Sequence, residues 1–489
     1  MSDLLSFLSA LPSGTALVVI GLACAVSRTG AAAVLGLAAV LLEWTLLDAE
    51  GLALTGAVSV LTVVALSACT GLAQRSDLEG PARFALSLPM AGLFLMALQL
   101  DHLGGVAGLL FLGALLERAM VPRGDADGRD PASGAPTGSA RAWRAAGFIS
   151  AVSAGLLGLG ALGRWRDGGE LAVEWVGTPF AGDAPSSLIF LGLLLPLAIP
   201  PGWGGAAQGL AAGPARNEVG GFLSAGLLRS LTLIVLLGRT FSGSDALLDV
   251  GLALAVLAPV LALIGRQTAA YSLGLLFYGV MGLLLGIAAI ASDSAQGALG
   301  LSILGAALAG SGAALGLALS THARAREPGL GERGLGHVFP LAFAFSLLAV
   351  LALMALPGTL LFEGRSSGLE AMSADGANAE ALAFALMAGP LAVFAGLPLL
   401  RLTFFSPGLD GGHVEGRRPT ISPAITLSFV ITAGALLALG LVPSAASPLL
   451  PSGTPPADRL LTATQQLQIL LGAALLARVV RRESRTGRA

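Results

Sequence analysis

The sequence predicts an all-α protein that crosses a membrane many times, and three observations carry this prediction. The chain has 489 residues, of which 55% are hydrophobic and only 11% are charged, whereas a soluble globular protein has about 25% charged residues. Apolar runs long enough to span a bilayer recur along most of the chain. Arginines and acidic residues alternate between successive connections.

A bilayer-spanning helix needs roughly 20 apolar residues, and fourteen segments of the sequence meet that requirement. In chain order they are 11–27, 30–47, 51–73, 82–100, 103–121, 142–163, 186–203, 217–240, 245–265, 267–291, 296–320, 335–361, 381–405 and 422–442. A fifteenth segment, 459–480, contains three glutamines and either crosses the membrane or lies in its interface. No basic region precedes the first segment and many spans follow it, so we expect it not to be a cleaved signal.

The distribution of charge predicts the orientation of the chain. The odd-numbered connections between segments carry arginine, from Arg28 in the first to Arg417 and Arg418 in the thirteenth, whereas the even-numbered connections are acidic or mixed. Because cytoplasmic connections are rich in basic residues, the N-terminus is predicted on the non-cytoplasmic side. We therefore expect a multi-pass protein of the cell inner membrane.

The segments are predicted to form two parts. Residues 1–442 make up a transmembrane domain, and residues 443–489 form a C-terminal extension with the fifteenth segment and a basic tail. Within the domain, 122–141 is rich in Gly, Pro and Asp, which predicts a flexible cytoplasmic loop.

Composition also excludes several classes of function. With a net charge of −2, the chain has no excess of basic residues to neutralise the phosphates of a nucleic acid. Cys24 and Cys69 lie inside apolar segments and the four histidines lie at segment ends or in connections, so neither a disulfide framework nor a metal site is predicted. The sequence has no Cys cluster, His pair or Gly-rich nucleotide loop, so we expect no redox cofactor and assign no catalytic residue.

Three ionisable residues stand out among those inside or beside apolar segments, where a charge costs roughly 2.5–3.5 kcal/mol on insertion scales. Glu117 lies in the run GLLFLGALLERAM, Arg229 lies in the middle of GGFLSAGLLRSLTLIVLLG, and Arg365 ends ALPGTLLFEGR. Such residues usually face the protein interior or a water-filled path, which makes them candidate site residues. The structural alternatives are a helix end for Glu117, a snorkelling or structurally paired Arg229, and a loop for Arg365.

Proline and glycine interrupt two of the segments. Pro200 and Pro201 follow the apolar part of the seventh, and Pro357 with Gly358 interrupts the twelfth. A break of this kind frees backbone carbonyls for polar partners, and breaks in well-separated helices are typical of transporter cores. We therefore predict that helices 7 and 12 are broken.

Several stretches resemble those of one family of membrane proteins. FLGALLE ends at Glu117, FLSAGLLRS contains Arg229, and LPGTLLFEGR ends at Arg365. Further similar stretches are ARFALSLPMAGLFLMALQLD, AAYS and LLRLTFF. In order and in register over residues 10–442, they resemble the antiporter-like subunits of respiratory complex I and of related cation/proton antiporter complexes, most closely the N-type subunit.

The resemblance implies an antiporter-like fold with paired broken helices, in an assembly with other hydrophobic subunits. It also implies a proton relay along buried charged groups, with Glu117 at the family's key glutamate and Arg229 and Arg365 at or next to the positions of two lysines. The sequence departs from the family in the seventh helix. There the family's lysine falls near Leu195 or Pro196, and its histidine is missing, so Glu117 lacks its usual partner.

The arginines change the expected chemistry, and all 27 basic residues of the chain are arginines. A buried lysine can release its proton because desolvation lowers its pKa, whereas arginine effectively never deprotonates in a protein. Two interpretations stay open. Either the arginines polarise a water path in which Glu117 titrates, or they are fixed barriers in a subunit that has lost conduction.

The first hypothesis is a membrane subunit of a NADH–quinone oxidoreductase-type complex that contributes to proton translocation or scaffolds it, with a partly degenerate relay. One alternative is an autonomous cation/proton secondary transporter with Glu117 as the coupling site. The other is a non-conducting structural subunit.

Overall fold

The computed structural model describes most of the predicted transmembrane domain. The described residues are 12–27, 31–47, 49–73, 80–119, 138–174, 179–180, 183–198, 226–264, 269–326, 340–356, 358–388, 423–442 and 445–446. Within these ranges the regular structure is helical apart from one antiparallel bridge between His102 and Ala172. The prediction of an all-α protein is confirmed for this part of the chain.

Fifteen helices occur in the described residues, and they are numbered here in chain order. They are α1 (Thr15–Ser27), α2 (Ala32–Leu46), α3 (Gly51–Ala73), α4 (Gly80–Gln99), α5 (Leu103–Ala119), α6 (Gly138–Arg166), α7 (Ala184–Ala198), α8 (Arg229–Phe241), α9 (Asp245–Ile264), α10 (Ala269–Ala288), α11 (Asp293–Arg326), α12 (Pro340–Leu353), α13 (Leu360–Ala374), α14 (Asn378–Ala388) and α15 (Pro423–Leu441).

Each of the fourteen apolar segments overlaps one of these helices over most of the helix, and α13 is additional. At the start of α6 the structure differs from the sequence prediction, because the helix begins at Gly138, inside the predicted loop 122–141. No proline follows Gly138 before the apolar run, so nothing stops the helix from extending into these residues. Residues 122–137, the fifteenth segment and nearly all of the C-terminal extension lie outside the described residues.

Three helical stretches in the described part of the chain are long and apolar enough to cross a bilayer: Gly51–Ala68, Gly147–Arg166 and Asp293–Leu317. Seven further helices there are apolar but shorter.

The outer faces of the helices are apolar as well. Along α6 the exposed side chains include Phe148, Val152, Leu159 and Leu162, which recur at helical spacing. A helix face of this kind suits hydrocarbon and not water, as expected for a protein embedded in a membrane.

Helix α11 forms the centre of the packing. It is 34 residues long, which corresponds to about 50 Å, and every residue from Gly297 to Leu317 is buried. Helices α3, α10, α12, α13 and α15 all pack against it. Because α11 is surrounded by protein, the outer helices provide the surface that faces lipid.

Glycine brings the backbones of α9 and α10 into direct contact. A Cβ atom at Gly282 would lie 2.5 Å from the backbone nitrogen of Ala255, and one at Gly251 would lie 2.6 Å from that of Gly286. No side chain fits between the helices at these positions. Small residues at such crossings are typical of helix packing in membranes.

The twelfth predicted segment contains the end of one helix and the start of the next. Helix α12 ends at Leu353 and α13 begins at Leu360, with positive φ angles of 52° at Ala355 and 82° at Gly358 between them. A left-handed residue cannot continue a right-handed helix, and glycine takes up this conformation at no steric cost. Gly440 of α15 packs against the carbonyl oxygen of Gly358.

One end of the bundle is tied together by polar contacts. Arg239, near the end of α8, donates to the Leu98 carbonyl at 2.7 Å and to the Asp101 carboxylate at 2.6 Å. The Leu103 amide donates to the Leu171 carbonyl at 2.8 Å, which joins the α4–α5 turn to the α6–α7 connection. Both connections were predicted on the non-cytoplasmic side.

Candidate functional site

Two of the three predicted site residues form a buried ion pair. Nη1 of Arg229 lies 2.8 Å from Oε1 and 2.9 Å from Oε2 of Glu117, although 112 positions separate the two residues in the sequence. The Glu117 residue is 2% exposed and the Arg229 residue is 8% exposed. The carboxylate therefore has a cationic partner on α8.

Ser150 of α6 completes the cluster, and sequence reasoning missed it. Its hydroxyl donates to Oε2 of Glu117 at 3.0 Å and accepts from Nη1 of Arg229 at 2.8 Å. The site thus joins three helices, because Glu117 lies on α5, Ser150 on α6 and Arg229 on α8. We call these three residues the polar cluster.

Local sequence explains how each helix presents its residue. On α5, Glu117 continues a buried face that includes Val106, Leu110, Gly113 and Ala114, at spacings of three and four residues. Arg229 is the first residue of α8, directly after a π-helical turn at 226–228. Such turns shift the register of a helix and occur frequently at functional sites.

The carboxylate and the hydroxyl of the polar cluster are satisfied, whereas the guanidinium is satisfied only in part. Both oxygens of Glu117 accept hydrogen bonds, and the Ser150 hydroxyl both donates and accepts. All three hydrogen bonds of the guanidinium within the described residues come from Nη1, and Nε is buried there without a hydrogen-bond partner. A guanidinium N–H without a partner can donate to one more acceptor, such as a water molecule.

Arg365, the third predicted site residue, lies in another group of helices. It belongs to α13 and is 2% exposed, so it is not the loop residue that one interpretation of the sequence allowed. The adjacent Gly364 lies directly against Ser302 of α11. Helices α5 and α6 pack against each other, with α4 and α7 beside them, whereas α13 packs against α11, α14 and α15.

The residues predicted to break helices 7 and 12 are described only in part. Pro200, Pro201 and Pro357 lie outside the described residues, as do most of the residues between α7 and α8. Gly358 is described and has a positive φ angle, between the end of α12 and the start of α13.

Glu43 is a further buried carboxylate that the sequence analysis did not single out. It lies on α2 and accepts from the amides of Gly14, Ala16 and Leu17 at 2.6, 2.8 and 3.3 Å, at the start of α1. A carboxylate there satisfies free amides and interacts favourably with the helix dipole, so its role is structural. Its position inside the apolar segment 30–47 could have identified it, by the same argument that selected Glu117.

The chemistry available to the polar cluster is proton transfer. Within the described residues no group of three or more His, Cys, Asp or Glu side chains could hold a metal ion. Of the three members, the Glu117 carboxylate can take up and release a proton, whereas the guanidinium stays charged and the serine hydroxyl only donates and accepts hydrogen bonds. The arrangement therefore combines one titratable group with one fixed positive charge.

No family model matches the sequence, and no curated protein matches it either.

Solved structures share the fold over most of the chain. A chain of the Mrp complex from Dietzia sp. DQ12-45-1b is 16% identical, with 91% of this chain and 96% of that chain covered and a TM-score of 0.69. A chain of respiratory complex I from Thermus thermophilus with bound aureothin is 20% identical, with 90% and 100% covered and a TM-score of 0.66. For the same complex with bound NADH, the values are 18% identity, 94% and 98% coverage and a TM-score of 0.64. The chain thus has the fold of membrane-complex chains that the sequence analysis expected, whereas the number of spans and the breaks in helices 7 and 12 stay predictions.

Proposed function

We propose that this chain is a membrane subunit of a NADH–quinone oxidoreductase-type complex and contributes to proton translocation through Glu117. It would lie in the cell inner membrane, cross it fourteen or fifteen times with broken helices 7 and 12, and bind no redox cofactor itself. Its partners would be other hydrophobic subunits of the assembly. The observation that carries the proposal is the buried contact between Glu117 and Arg229, in a fold shared with chains of respiratory complex I.

The burial of this ion pair supports a functional role over a purely structural one. Replacing a buried ion pair by apolar residues of similar volume is often neutral or stabilising, so a scaffold has no need of charges at this place. Charged residues inside membrane segments usually mark the path of an ion or a proton. The pair lies in the protein interior and not against lipid, as that role requires.

The chemistry of the two arginines assigns the titrating role to Glu117. Arg229 and Arg365 cannot exchange protons, so they would act as fixed charges that orient water and attract the carboxylate. In this proposal Glu117 receives the proton, and Arg229 stabilises the carboxylate when it is deprotonated. Arg365 marks the continuation of the hydrated path on α13.

The first experiment identifies the assembly. An affinity-tagged chain is purified from native membranes in mild detergent, and the accompanying subunits are identified by mass spectrometry. We expect the hydrophobic and NADH-oxidising subunits of one complex. Recovery of the chain alone as a stable monomer that collapses a pH gradient in liposomes would instead support the autonomous transporter.

The second experiment tests the role of Glu117. We expect Glu117→Gln to lower NADH-driven proton uptake into inverted membrane vesicles by roughly tenfold or more, because a positioned proton-transfer group is lost. The control is Glu50→Gln, which changes an exposed carboxylate before α3. Uptake is followed with a pH-sensitive dye and divided by the amount of assembled complex. Unchanged uptake in Glu117→Gln would identify the chain as a non-conducting spacer.

A further inference from the structure

We infer that Ser150 is the positioning residue of the polar cluster: it saturates one oxygen of Glu117 and thereby assigns proton uptake to the other. This inference rests on the proposed role of Glu117 in proton translocation.

The argument starts from the hydrogen-bonding capacity of the carboxylate. An ionised carboxylate offers about four acceptor positions, two on each oxygen. Oε2 of Glu117 lies 2.9 Å from Nη1 of Arg229 and accepts from Ser150 at 3.0 Å, so both of its positions face a donor. Nη1 has two hydrogens for three acceptors, so one hydrogen is shared between Oε1 and Oε2, and Ser150 supplies the hydrogen that belongs to Oε2 alone. Oε1 accepts from Arg229 at 2.8 Å, and among the described residues this is its one hydrogen bond to a side chain. One acceptor position therefore stays open on Oε1.

The direction of the Ser150 hydroxyl follows from its neighbours. Arginine has five N–H donors and no acceptor, so the hydroxyl oxygen must accept where it meets Arg229. The single hydroxyl hydrogen is then available for Glu117, where it occupies Oε2. Ser150 is buried, so bulk water does not compete for that hydrogen. The geometry thus fixes which oxygen is saturated.

Proton uptake at Oε1 leaves the contacts of Ser150 intact. A hydronium ion that reaches the open position gives its proton to Oε1, so that one O–H bond of the hydronium breaks, a new Oε1–H bond forms and a water molecule remains. Without Ser150, Oε2 would have a free position as well. The carboxylate could then rotate or take up the proton on the wrong oxygen, away from the path.

A matched control lies one turn further along α6. The Ser153 hydroxyl is also buried, but it donates to the Gly192 carbonyl of α7 and does not contact the ion pair. Ser153→Ala therefore removes a buried hydroxyl from the same helix and disturbs only a contact between helices.

The experiment measures NADH-driven proton uptake into inverted native-membrane vesicles, per assembled complex. The quantity compared between variants is the fraction of this uptake that Glu117→Gln abolishes. We expect Ser150→Ala to lower this fraction roughly tenfold, since one hydrogen bond to a charged group is lost. Ser150→Thr, which keeps the hydroxyl, should restore most of it, and Ser153→Ala should stay near wild type. A loss of uptake in Ser153→Ala equal to that in Ser150→Ala would overturn the inference.

An infrared measurement covers the case in which the larger threonine does not fit. The carboxylate band of Glu117 is identified as the band that Glu117→Gln removes. Ser150→Ala should shift this band and Ser153→Ala should not. An unshifted band in Ser150→Ala would contradict the inference.

The two proposals fail in different ways. If Glu117→Gln pumps like wild type, the proposed function is wrong and the inference falls with it. If Glu117→Gln loses uptake and Ser150→Ala keeps it, only the inference is wrong.

Discussion

Four charged side chains are buried in the part of the chain that the structure describes: Glu43, Glu117, Arg229 and Arg365. Their surroundings separate their roles. Glu43 is held by backbone amides at the start of a helix, an arrangement that requires no movement. Glu117 is held by side chains from two other helices, so a small shift of either helix changes its contacts.

The sequence could predict which residues of the polar cluster carry charge, but not that they meet. The depth of Glu117 and Arg229 in apolar runs was visible, whereas a contact across 112 positions depends on tertiary packing. Ser150 gave no comparable signal. A serine in an apolar helix commonly bonds to its own backbone, as Ser59 does with the Thr55 carbonyl.

The ion pair can be tested by neutralising it in two steps. Arg229→Gln alone leaves the Glu117 carboxylate buried without its cation and should destabilise the protein by roughly 3–5 kcal/mol. The double variant Glu117→Gln, Arg229→Gln removes both charges and should recover most of that loss. Thermal unfolding of the detergent-solubilised complex measures both effects. Additive losses in the double variant would show that the two residues do not interact energetically.

Exchanging the guanidinium for an amine tests whether a fixed charge limits conduction. Lysine at 229 can still reach a carboxylate, but it can release its proton when it is desolvated. We therefore expect Arg229→Lys to increase Glu117-dependent proton uptake relative to wild type, in the same vesicle assay. Lower uptake in Arg229→Lys, with normal assembly of the complex, would mean that proton uptake requires the planar set of N–H donors of the guanidinium.

At the scale of elements, hydropathy predicted the apolar helices but not α13. The sequence of α13, LLFEGRSSGLEAMSA, contains two glutamates and an arginine, so no apolar run reveals it. It is nevertheless half-buried or buried over most of its length, because α11 and its neighbours surround it. Hydropathy averaged over a sequence window reports the affinity of a segment for lipid. A helix enclosed by protein does not depend on that affinity.

The contact between α9 and α10 gives a test of helix packing. Gly282→Ala would place a methyl group 2.5 Å from the Ala255 nitrogen, and we expect a loss of about 1–3 kcal/mol because backbone must move. Gly155→Ala is the matched control, since nothing lies within 4 Å of a Cβ atom at this site on α6. The midpoint of thermal unfolding should fall for the first variant only. Equal midpoints would contradict the close approach of the two backbones.

At the scale of the whole molecule, the alternation of charge predicts the side on which each connection lies. In the structure the α4–α5 turn, the α6–α7 connection and the end of α8 meet at one end, as segments that cross alternately require. Composition and motif order led to the fold that solved chains of two membrane complexes share. The sequence does not predict which helix faces contact partner subunits, because the outer faces are apolar whether lipid or protein covers them.

Orientation can be measured with single cysteines in a background that lacks Cys24 and Cys69. Glu170→Cys and Asp293→Cys, both at exposed positions, should react with an impermeant maleimide from the non-cytoplasmic side. Ser27→Cys, exposed at the end of α1, should react only from the cytoplasmic side. Labelling of all three from one side would contradict the predicted orientation.

The interruption between α12 and α13 has a mechanical consequence. Because Gly440 of α15 lies against the Gly358 carbonyl with no space for a side chain, a movement of α13 at this interruption would press against α15. A displacement of Arg365 on α13 would therefore be passed on to α15.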